Sequence, residues 1–539
     1  MVHQYKLNGY NIVIDTFSNS VHLVDDVAYD IIRLFCVANE TESEGPSKDD
    51  VAAHILESAK SGAYGEEVLK EGRDDFIAEI NECYDDVVSL INADKLFSKD
   101  TFKPNANTLK NRHTDIKALC LHVSHACDLT CSYCFAGQGK FNGPSALMSF
   151  DVAKRAIDFL VENSGTRRNL EVDFFGGEPL LNFDVVKRTV EYARSIEKEA
   201  NKNFRFTLTT NGMGITDEVI DFANRECYNV VLSLDGRKEV HDRERCTAGS
   251  TVDGVKIPRG VGSYDIIVPK FQRLVAARTG VDIKGAGDIP EWITKGKETG
   301  NTNYYIRGTF THYNPDFTED IKHMLDLGFT ELSLEPVVCD SESRFALTDE
   351  DLPIILDQYE KLAELMMARK AEGKPFTFYH YMLNLKSGPC IYKRISGCGS
   401  GTEYFAVTPK GELYPCHQFV GDENYLMGDI WNGIEGAAEN GACDSVNCST
   451  AAEQKSGADI RDEFKMCNVY ARSECDDCWA KLYCSGGCAA NAYHATGNIL
   501  GVYKYGCELF KKRMECAIMM HVAEYESGQE TEEEMSCEN

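Results

Sequence analysis

The feature that most constrains this chain is a loop with three closely spaced cysteines, Cys127, Cys131 and Cys134, in the spacing C-x3-C-x2-C. The loop follows an apolar stretch that predicts a strand, Ala118–Val123. Three thiolates on a 4Fe–4S cluster leave one iron without a protein ligand, and that iron can bind and reduce a cofactor. A zinc-binding or chance cysteine cluster is the alternative. The spacing therefore favours a cluster with one open iron at the end of a strand.

The cysteine content of the whole chain points in the same direction. The 539 residues include 22 cysteines. The first residues, MVHQYKLNGY, lack the basic region and apolar core of a secretion signal, and no apolar run is long enough to span a bilayer. Many cysteines in a large chain without an export signal favour metal sites over disulfides. We therefore expect a cytoplasmic protein with no membrane partner.

The charge of the chain bears on its partners. The formal net charge is −30, which argues against nucleic acid as a partner because phosphate binding needs a basic face. The charge would suit a peptide with Lys or Arg through electrostatic steering. A role in solubility alone is the simpler explanation, so no prediction of a basic peptide depends on charge.

Residues 1–110 form a predicted first unit in which strands precede helices. Alternating apolar residues between Tyr5 and Leu23 predict two short strands joined by a turn at residues 18–20. Residues 103–107 predict the linker that leaves this unit. The order is typical of a winged-helix module, and a plain N-terminal cap on an enzyme fits it equally well. Amphipathic stretches predict helices at Val27–Cys36, Asp49–Ala59 and Glu66–Ile91.

From residue 115 to 375 the strand and helix patterns alternate, which predicts an α/β fold with a parallel sheet. Six βα units make a partial (β/α)6 barrel, and the active site of such a barrel lies at the carboxyl ends of its strands. The predicted strands are Ala118–Val123, Leu170–Phe175, Phe204–Thr209, Val230–Leu234, Tyr304–Thr309 and Glu331–Val337. The predicted helices include Phe150–Asn163, Phe183–Ala200, Tyr264–Ala277 and Leu352–Glu372.

Several segments depart from the repeating pattern. Residues 246–262 and 279–303 are rich in Gly, Thr and charge, which predicts surface insertions. A third insertion, residues 436–462, is rich in Gly, Ala and Ser and includes Cys443 and Cys448. The acidic tail, residues 521–539, is predicted to be disordered.

Polar residues follow three successive predicted strands at the end where the cysteine loop lies. They are Gly176, Gly177 and Glu178 after the second strand, Asn211 after the third, and Ser233 and Asp235 after the fourth. The two glycines permit close approach of the backbone to a ligand, and the carboxylate beside them can accept hydrogen bonds from an ammonium group. Because these strand ends share one edge of the sheet, the residues are predicted to form one site with the cysteine loop.

A second cysteine-rich region, residues 376–520, follows the predicted barrel. The regularly spaced cysteines there are Cys398, Cys416, Cys475, Cys478, Cys484, Cys488 and Cys507. A zinc ribbon would use the CxxC pair with two further cysteines but would leave three of these positions without a role. The region therefore favours more than one metal centre.

The cysteine spacing, the aromatic Tyr133 and the Gly-Gly-Glu-Pro loop together resemble the radical S-adenosylmethionine (SAM) enzymes. The resemblance implies that Cys127, Cys131 and Cys134 bind a catalytic 4Fe–4S cluster and that SAM is the cofactor. The implied SAM contacts are Tyr133 and Phe135 beside adenine, Gly176, Gly177 and Glu178 at the ammonium group, Ser233 at the ribose, Arg307 at the carboxylate, and Asn211 and Asp235 as further contacts. For Arg307, a structural ion pair inside the barrel is the alternative to SAM binding.

The second cysteine region resembles the SPASM extension of these enzymes, which implies two auxiliary 4Fe–4S clusters and three clusters in all. Cys390 stands where some relatives place a fourth ligand for the first auxiliary cluster, and without it a substrate thiolate could bind the open iron. Cys467 is a spare thiol or an alternate ligand. The implied ligands are Cys398, Cys416 and Cys488 for the first auxiliary cluster, and Cys475, Cys478, Cys484 and Cys507 for the second.

Longer stretches are similar to one subfamily, the SCIFF (six cysteines in forty-five residues) peptide maturases. This resemblance implies that residues 1–110 bind the leader of a cysteine-rich precursor peptide as an added strand. It implies that radical chemistry then forms a thioether in that peptide, with electrons from a flavodoxin or ferredoxin type of reductant. The insertions and the tail depart from the subfamily. The similar stretches are His3–Tyr10, Val172–Pro179, Ser396–Tyr404 and Cys478–Cys488.

Two other functions fit the sequence. One is a different SPASM enzyme, such as a formylglycine-forming sulfatase maturase or a carbon–carbon crosslinking enzyme; such enzymes differ in the leader domain or in carboxylate placement, and here Cys416 is followed by His417 rather than Asp. The other is a non-catalytic iron–sulfur or zinc protein. Release of 5′-deoxyadenosine from SAM would separate both enzymes from the non-catalytic protein.

Overall fold

The computed structural model describes residues 1–64, 72–104, 106, 108, 115–252, 254–385, 390–434 and 455–528. Cys443 and Cys448 of the predicted third insertion lie outside the described residues. So do residues 105 and 107 of the predicted linker and the part of the predicted acidic tail after residue 528. Residues 521–526 of that tail were predicted to be disordered, and this is wrong, because they continue the helix Lys504–Glu526. Among the described residues, no helix is both long and apolar enough to cross a membrane.

The chain begins with a three-stranded antiparallel sheet in the order β1-β2-β3, formed by β1 (Val2–Leu7), β2 (Tyr10–Asp15) and β3 (Ser20–Val24). The sequence predicts only two strands here, and this is wrong. Asn8 and Gly9 adopt φ of 50° and 82°, so the chain reverses between Leu7 and Tyr10, which pair across the turn. Asn-Gly is a characteristic sequence of tight hairpin turns with positive φ, a signal that the alternating apolar pattern concealed.

Among the described residues, three helices follow this sheet: α1 (Asp26–Glu40), α2 (Lys48–Lys60) and α3 (Arg73–Asn92). Helix α1 packs on β1 and β2, and α2 and α3 pack on α1 and on each other. Asp25 and Ser47 accept hydrogen bonds from the first turns of α1 and α2, as expected of N-cap residues. The apolar faces meet in a core of their own, in which Val13, Ile31, Ile55 and Ile80 are fully buried. Strands therefore precede helices, as predicted for this segment.

Six parallel strands form the centre of the protein, in chain order across the sheet. They are β4 (Ala118–Ser124), β5 (Asn169–Gly176), β6 (Asn203–Thr210), β7 (Cys227–Ser233) and, after a hairpin of β8 (Ser250–Val252) and β9 (Val255–Ile257), β10 (Asn303–Phe310) and β11 (Glu331–Pro336). Each matches a predicted strand within a few residues, a normal spread for element boundaries. The prediction of an α/β partial barrel with six parallel strands is confirmed.

Helices surround the sheet and connect its strands. Ser149 caps the first of them by accepting a hydrogen bond from the Val152 N–H, as its sequence position predicts. The helices are α4 (Phe150–Glu162), α5 (Phe183–Ala200), α6 (Asp217–Glu226), α7 (Lys238–Glu244), α8 (Tyr264–Thr279), α9 (Gly296–Thr299), α10 (Phe317–Asp326) and α11 (Asp351–Ala371).

The C-terminal part extends both edges of the sheet. The short β12 (Thr377–Phe378) pairs parallel to β11. At the other edge β13 (Tyr404–Val407) pairs parallel to β4 and is followed by the antiparallel β14 (Glu412–Tyr414) and β15 (Gly428–Asp429). The remaining helices are α12 (Ile391–Ser396), α13 (Gly457–Met466), α14 (Lys481–Cys484), α15 (Ala489–Thr496) and α16 (Lys504–Glu526). Short 3-10 helices occur at Pro179–Asn182, Tyr379–Tyr381, His417–Phe419, Glu423–Tyr425, Val469–Ala471 and Ser473–Cys475.

The last long helix joins the two ends of the described chain. Helix α16 packs along α11 and also contacts β1. The Tyr5 hydroxyl donates to the Glu515 backbone oxygen at 2.9 Å, and the His3 ring stacks on Trp479 at 4.0 Å between centroids. The N-terminal sheet is therefore braced against the cysteine-rich region.

Candidate active site

The cysteine loop lies at the carboxyl end of β4 and is held by the segment that follows α7. The Thr130 N–H donates to the Cys246 carbonyl at 2.7 Å, the Ser132 N–H donates to the Glu244 carbonyl at 3.0 Å, and the Ala248 N–H donates to the Asp128 carbonyl at 2.8 Å. Residues 246–262 were predicted as a surface insertion. In the structure their first residues also form one wall of the cysteine loop.

The sulfur of Cys127 receives two N–H donors. The Leu129 backbone N–H lies 3.4 Å from the Cys127 sulfur, and the Asn211 side-chain amide lies 3.6 Å from it. Hydrogen bonds to sulfur are among the features by which proteins tune iron–sulfur clusters. Asn211, predicted as a SAM contact, therefore lies beside the predicted cluster, and its amide also donates to Asp128 at 2.7 Å.

Glycines let the backbone close around this loop. A Cβ on Gly177 would lie 2.2 Å from the Ala126 carbonyl oxygen, and one on Gly139 would lie 2.7 Å from the Cα of Gly177. The Gly177 N–H donates to Ser124 and the Glu178 N–H donates to Ala126. The Gly-Gly-Glu loop thus packs directly on the cysteine loop, as the shared edge of the sheet predicts.

Glu178 is buried at the same edge, with 1% of its surface exposed. Its carboxylate accepts hydrogen bonds from the Leu180 N–H at 3.0 Å, the Thr210 hydroxyl at 2.8 Å and the Asn211 N–H at 2.8 Å. Burial and the nearby Asp128 raise the pKa of Glu178 to about 8. A buried carboxyl with a raised pKa gains most from a cation placed next to it, which fits an ammonium ligand.

Asp235 forms the centre of a second buried network. Its carboxylate accepts from the Tyr133 hydroxyl at 2.6 Å, from two guanidinium nitrogens of Arg245 at 2.8 and 3.0 Å, and from the Thr309 N–H at 2.9 Å. Burial opposes ionisation of Asp235, but the charge and hydrogen bonds of Arg245 lower its pKa below the usual range. This geometry gives Asp235 a role in positioning Tyr133, and its predicted contact with SAM stays a prediction.

The remaining predicted contacts line the barrel interior. Ser233 ends β7 and pairs with Arg307 of β10. The Arg307 side chain is 49% exposed and its guanidinium lies 3.9 Å from Glu335, so the ion pair that the sequence left as an alternative is present. The role of Arg307 at the SAM carboxylate stays a prediction. Phe135 is exposed, and its ring centroid lies 5.6 Å from that of His417.

The thiols of the second cysteine region form two groups, and within each group the thiols act electrostatically on one another. Cys398, Cys416 and Cys488 form the first group, and Cys475, Cys478, Cys484 and Cys507 form the second. This division is the one that the resemblance implies for two auxiliary clusters. Cys467 interacts with Cys398 and Cys488 of the first group. Cys390 is exposed, as are Cys398 and Cys488.

The chemistry of these residues fits thiolate-bound iron–sulfur clusters. The cysteines of all three predicted sites are free thiols, and N–H donors reach the Cys127 sulfur. Within the described ranges, no three Cys, His, Asp or Glu side chains already surround a common point at metal-binding distance. The ligand assignments therefore stay predictions.

Two residues of this site were missed by sequence reasoning. Arg245 is buried beside Tyr133, whose ring centroid lies 5.5 Å from the guanidinium, and its charge also acts on Cys131. Asp128 directly follows Cys127 and binds Asn211. Asp128 could have been noticed in the sequence, because a carboxylate next to several thiolates is electrostatically unfavourable and therefore unusual. Arg245 carried none, since it lies more than a hundred residues away in the chain.

Residues 121–257 match the model of a protein family described as the Radical SAM superfamily. Among curated proteins, an uncharacterized protein of Methanocaldococcus jannaschii is 32% identical over 154 residues, or 28% of this chain, and the match spans half of that protein's length. A cysteine-type anaerobic sulfatase-maturating enzyme of Clostridium novyi is 25% identical over 318 residues, which is 57% of this chain and 75% of that enzyme.

A solved structure described as native anSMEcpe with bound AdoMet and Cp18Cys peptide shares the fold. It superposes with a TM-score of 0.54 at 18% sequence identity and covers 76% of this chain and 99% of that one. At this identity the likeness concerns the fold. It supports the partial barrel and its continuation into the cysteine-rich region.

Proposed function

Because residues 121–257 match the Radical SAM superfamily, we propose that this chain is a radical SAM maturase that forms thioether crosslinks in a ribosomally made, cysteine-rich precursor peptide. The observation that carries the proposal is the convergence of the cysteine loop, Glu178, Asn211 and Ser233 at one edge of the barrel. When bound, SAM and the cluster held by the cysteine loop would supply radical abstraction of a hydrogen atom from a peptide carbon. The auxiliary cysteine groups would hold the acceptor for the electron that is released, together with the thiol proton, when the peptide sulfur bonds to that carbon.

The chain's own residues bind and orient SAM in this proposal. Cys127, Cys131 and Cys134 hold the cluster, and Glu178 accepts the SAM ammonium group. Because Glu178 is buried and its pKa is raised to about 8, the ligand cation favours its ionised form. Asp235 and Arg245 fix the ring of Tyr133 beside the loop, which preorganises the adenine site before SAM arrives.

Ser233, Arg307 and His417 are the further residues of the proposed SAM site. Ser233 stands at the end of β7 for the ribose, and Arg307 is available to the SAM carboxylate if it leaves Glu335. Burial and the nearby Arg307 lower the pKa of His417 to about 4. The imidazole of His417 is therefore neutral at pH 7, so the barrel wall beside Phe135 adds no positive charge.

The N-terminal sheet provides a place for the leader of the peptide. Strand β3 pairs only with β2 among the described residues, so its other edge presents backbone donors and acceptors. Leu23 on this strand is 41% exposed. An unpaired edge with an exposed apolar side chain suits a peptide that adds as a further strand. The cysteines of the peptide would then reach the barrel and the first auxiliary group.

The test is co-expression or anaerobic incubation with a candidate precursor peptide that carries clustered cysteines. We expect 5′-deoxyadenosine to be released under dithionite and the peptide to lose two hydrogen atoms per crosslink in mass spectra. The matched control is Cys131→Ala. Metal binding without SAM cleavage would eliminate enzyme function, and SAM cleavage without a mass change would eliminate thioether formation on that peptide.

A second candidate is oxidation of a protein cysteine to formylglycine, favoured by the similarity to the sulfatase-maturating enzyme over 57% of this chain. A peptide that contains a sulfatase-type cysteine site discriminates the two functions. Formylglycine carries an aldehyde that a hydrazide probe captures, whereas a thioether does not react with the probe. Capture of the aldehyde would replace the thioether proposal.

A further inference from the structure

We propose that Cys467 is the fourth thiolate of the first auxiliary cysteine group, beside Cys398, Cys416 and Cys488, and that the buried Arg472 holds it there as a positioning residue. In this assignment Cys390 is not a ligand. The inference rests on the proposed function in one respect, since it takes this cysteine group to be an iron–sulfur site. The regular cysteine spacing of the sequence does not include Cys467.

The position of Cys467 follows from the helix that precedes it. Helix α13 ends at Met466, and the Cys467 N–H donates to the Phe464 carbonyl at 3.1 Å. Phe464 is 2% exposed, and a Cβ on Gly401 would lie 2.7 Å from its ring. The turn after Cys398 therefore packs against the end of α13, which brings Cys467 to the same group of thiols.

Arg472 supplies the independent observation. It is 2% exposed, and one terminal nitrogen donates to the Cys467 sulfur at 3.0 Å. Its other terminal nitrogen donates to the Gly501 carbonyl, and its Nε has no hydrogen-bond partner among the residues that the structure describes. No carboxylate forms an ion pair with Arg472 within the described ranges.

A buried guanidinium is costly unless an anion compensates its charge. Besides Cys467, the groups on which Arg472 acts electrostatically include Cys475 and Cys507 of the second group. Neutral thiols would leave the charge uncompensated, whereas metal-bound thiolates supply the negative charge. The arginine thus interacts with thiols of both cysteine groups, and of these thiols Cys467 accepts a hydrogen bond from it.

Cys390 directly precedes the six-residue helix α12. It is exposed, as are Cys398 and Cys488 of the first group, so exposure does not decide between Cys390 and Cys467. The buried Arg472, which donates to the Cys467 sulfur at 3.0 Å, favours Cys467.

The assignment has a consequence for the substrate. Four protein thiolates would complete the coordination of the first auxiliary cluster. A cysteine of the peptide would then displace Cys467 from its iron or react without binding iron. In the first case, the Arg472 contact keeps the released Cys467 thiolate near its ligand position.

The experiment uses the full-length protein with Cys127→Ala, Cys131→Ala and Cys134→Ala, so that only the auxiliary sites can bind iron. Cys467→Ser, Cys390→Ser and Cys339→Ser are added singly, the last as a half-buried cysteine outside both groups. We expect Cys467→Ser to change the electron paramagnetic resonance spectrum of the reduced protein. Cys390→Ser and Cys339→Ser should leave spectrum and iron content unchanged. A spectrum altered by Cys390→Ser and not by Cys467→Ser would overturn the proposal.

A second measurement avoids substitution at the site. The unmutated iron-loaded protein is alkylated with iodoacetamide under anaerobic conditions, before and after iron removal by a chelator, and labelled cysteines are mapped by mass spectrometry. We expect Cys390 to be labelled in both states and Cys467 only after iron removal. Labelling of Cys467 in the loaded protein would contradict the proposal. Absence of iron from the triple variant would instead refute the auxiliary clusters of the proposed function.

Discussion

The hydroxyl of Tyr133 and the carboxylate of Asp235 are joined by a 2.6 Å hydrogen bond that ties the cysteine loop to the end of the fourth barrel strand. Asp235 also neutralises Arg245, whose side chain is 11% exposed. One carboxylate therefore holds both a residue of the cysteine loop and the arginine behind it.

This relationship predicts unequal effects of two small substitutions. Asp235→Asn leaves the buried Arg245 without its counter-charge, which costs about 3–5 kcal/mol of local stability. Tyr133→Phe removes one hydrogen bond, worth about 1 kcal/mol, and leaves the ion pair intact. We expect Asp235→Asn to weaken SAM binding far more than Tyr133→Phe, as measured by anaerobic equilibrium dialysis. Equal losses would show that Asp235 does not act through Arg245.

The cysteine groups predict separable defects. Cys131→Ala removes a ligand of the SAM-binding cluster, so SAM cleavage and crosslinking should both be abolished. Cys484→Ala affects the second auxiliary group, so crosslinking should fall while 5′-deoxyadenosine is still released. Chromatography of the nucleoside and mass spectrometry of the peptide give the two readouts. Intact crosslinking in either variant would contradict the ligand assignment.

Two glycines of the cysteine loop form a matched pair. Gly137 and Gly139 have φ of 55° and 85°, so alanine at either costs about 1–2 kcal/mol of backbone strain. Only at position 139 would the new Cβ meet backbone, 2.7 Å from Gly177. We expect Gly139→Ala to lose iron from the loop site while Gly137→Ala retains it, as measured by iron content. Equal retention would mean that the two loops need not pack closely.

Asp173 predicts a pH dependence of stability. Burial and the neighbouring Glu171 raise the pKa of Asp173 to about 7, although Thr207 donates to it. Between about pH 4, where the unfolded carboxyl ionises, and pH 7, the folded protein retains the proton. Because the folded state then binds more protons, this group lowers the free energy of unfolding as pH rises through that range, and its effect levels off above pH 7.

Asp173→Asn should remove this dependence. Relative to the unmutated protein, we expect the free energy of unfolding of the variant to be about 2–3 kcal/mol higher at pH 8 than at pH 5, measured by urea denaturation at both pH values. Asp326→Asn, at the exposed end of α10, is the control and should show no such gain. A larger relative gain at pH 5 would reverse the sign and refute the raised pKa.

The edge of β3 predicts where the leader binds. Leu23→Glu places a charge on the exposed face of this edge strand, and we expect leader affinity to fall about tenfold, which corresponds to about 1.4 kcal/mol. Val37→Glu changes an equally apolar side chain on α1 that is 53% exposed and should leave affinity unchanged. Fluorescence anisotropy with a labelled leader peptide measures both. A larger loss for Val37→Glu would move the binding surface to α1.

Much of the barrel was predictable because its strands place apolar residues at their buried positions. The strand from Ala118 to Ser124 is buried at every position and is apolar except at His122 and Ser124, whereas β5, β6 and β10 alternate buried and less buried positions. The N-terminal hairpin was harder, since Tyr5 and Ile12 were assigned to one strand, although the odd spacing between them breaks the two-residue alternation at the turn of Asn8 and Gly9. The pattern fixes which face is buried but not where the chain reverses.

The site was predictable where chemistry is local in sequence. Cys127, Glu178 and Asn211 each follow a strand, so shared register brings them together. Arg245 could not be found this way, because its partner Asp235 and the loop it supports meet only after a helix has folded between them. The ion pair of Arg307 with Glu335 likewise depends on the pairing of β10 with β11.

The contacts of His3 with Trp479 and of Tyr5 with Glu515 have a bearing on biosynthesis. The hairpin is translated well before Trp479 and Glu515, which receive it. Until those residues are made, this small sheet lacks its docking surface and depends on its own core of Val13 and Ile31.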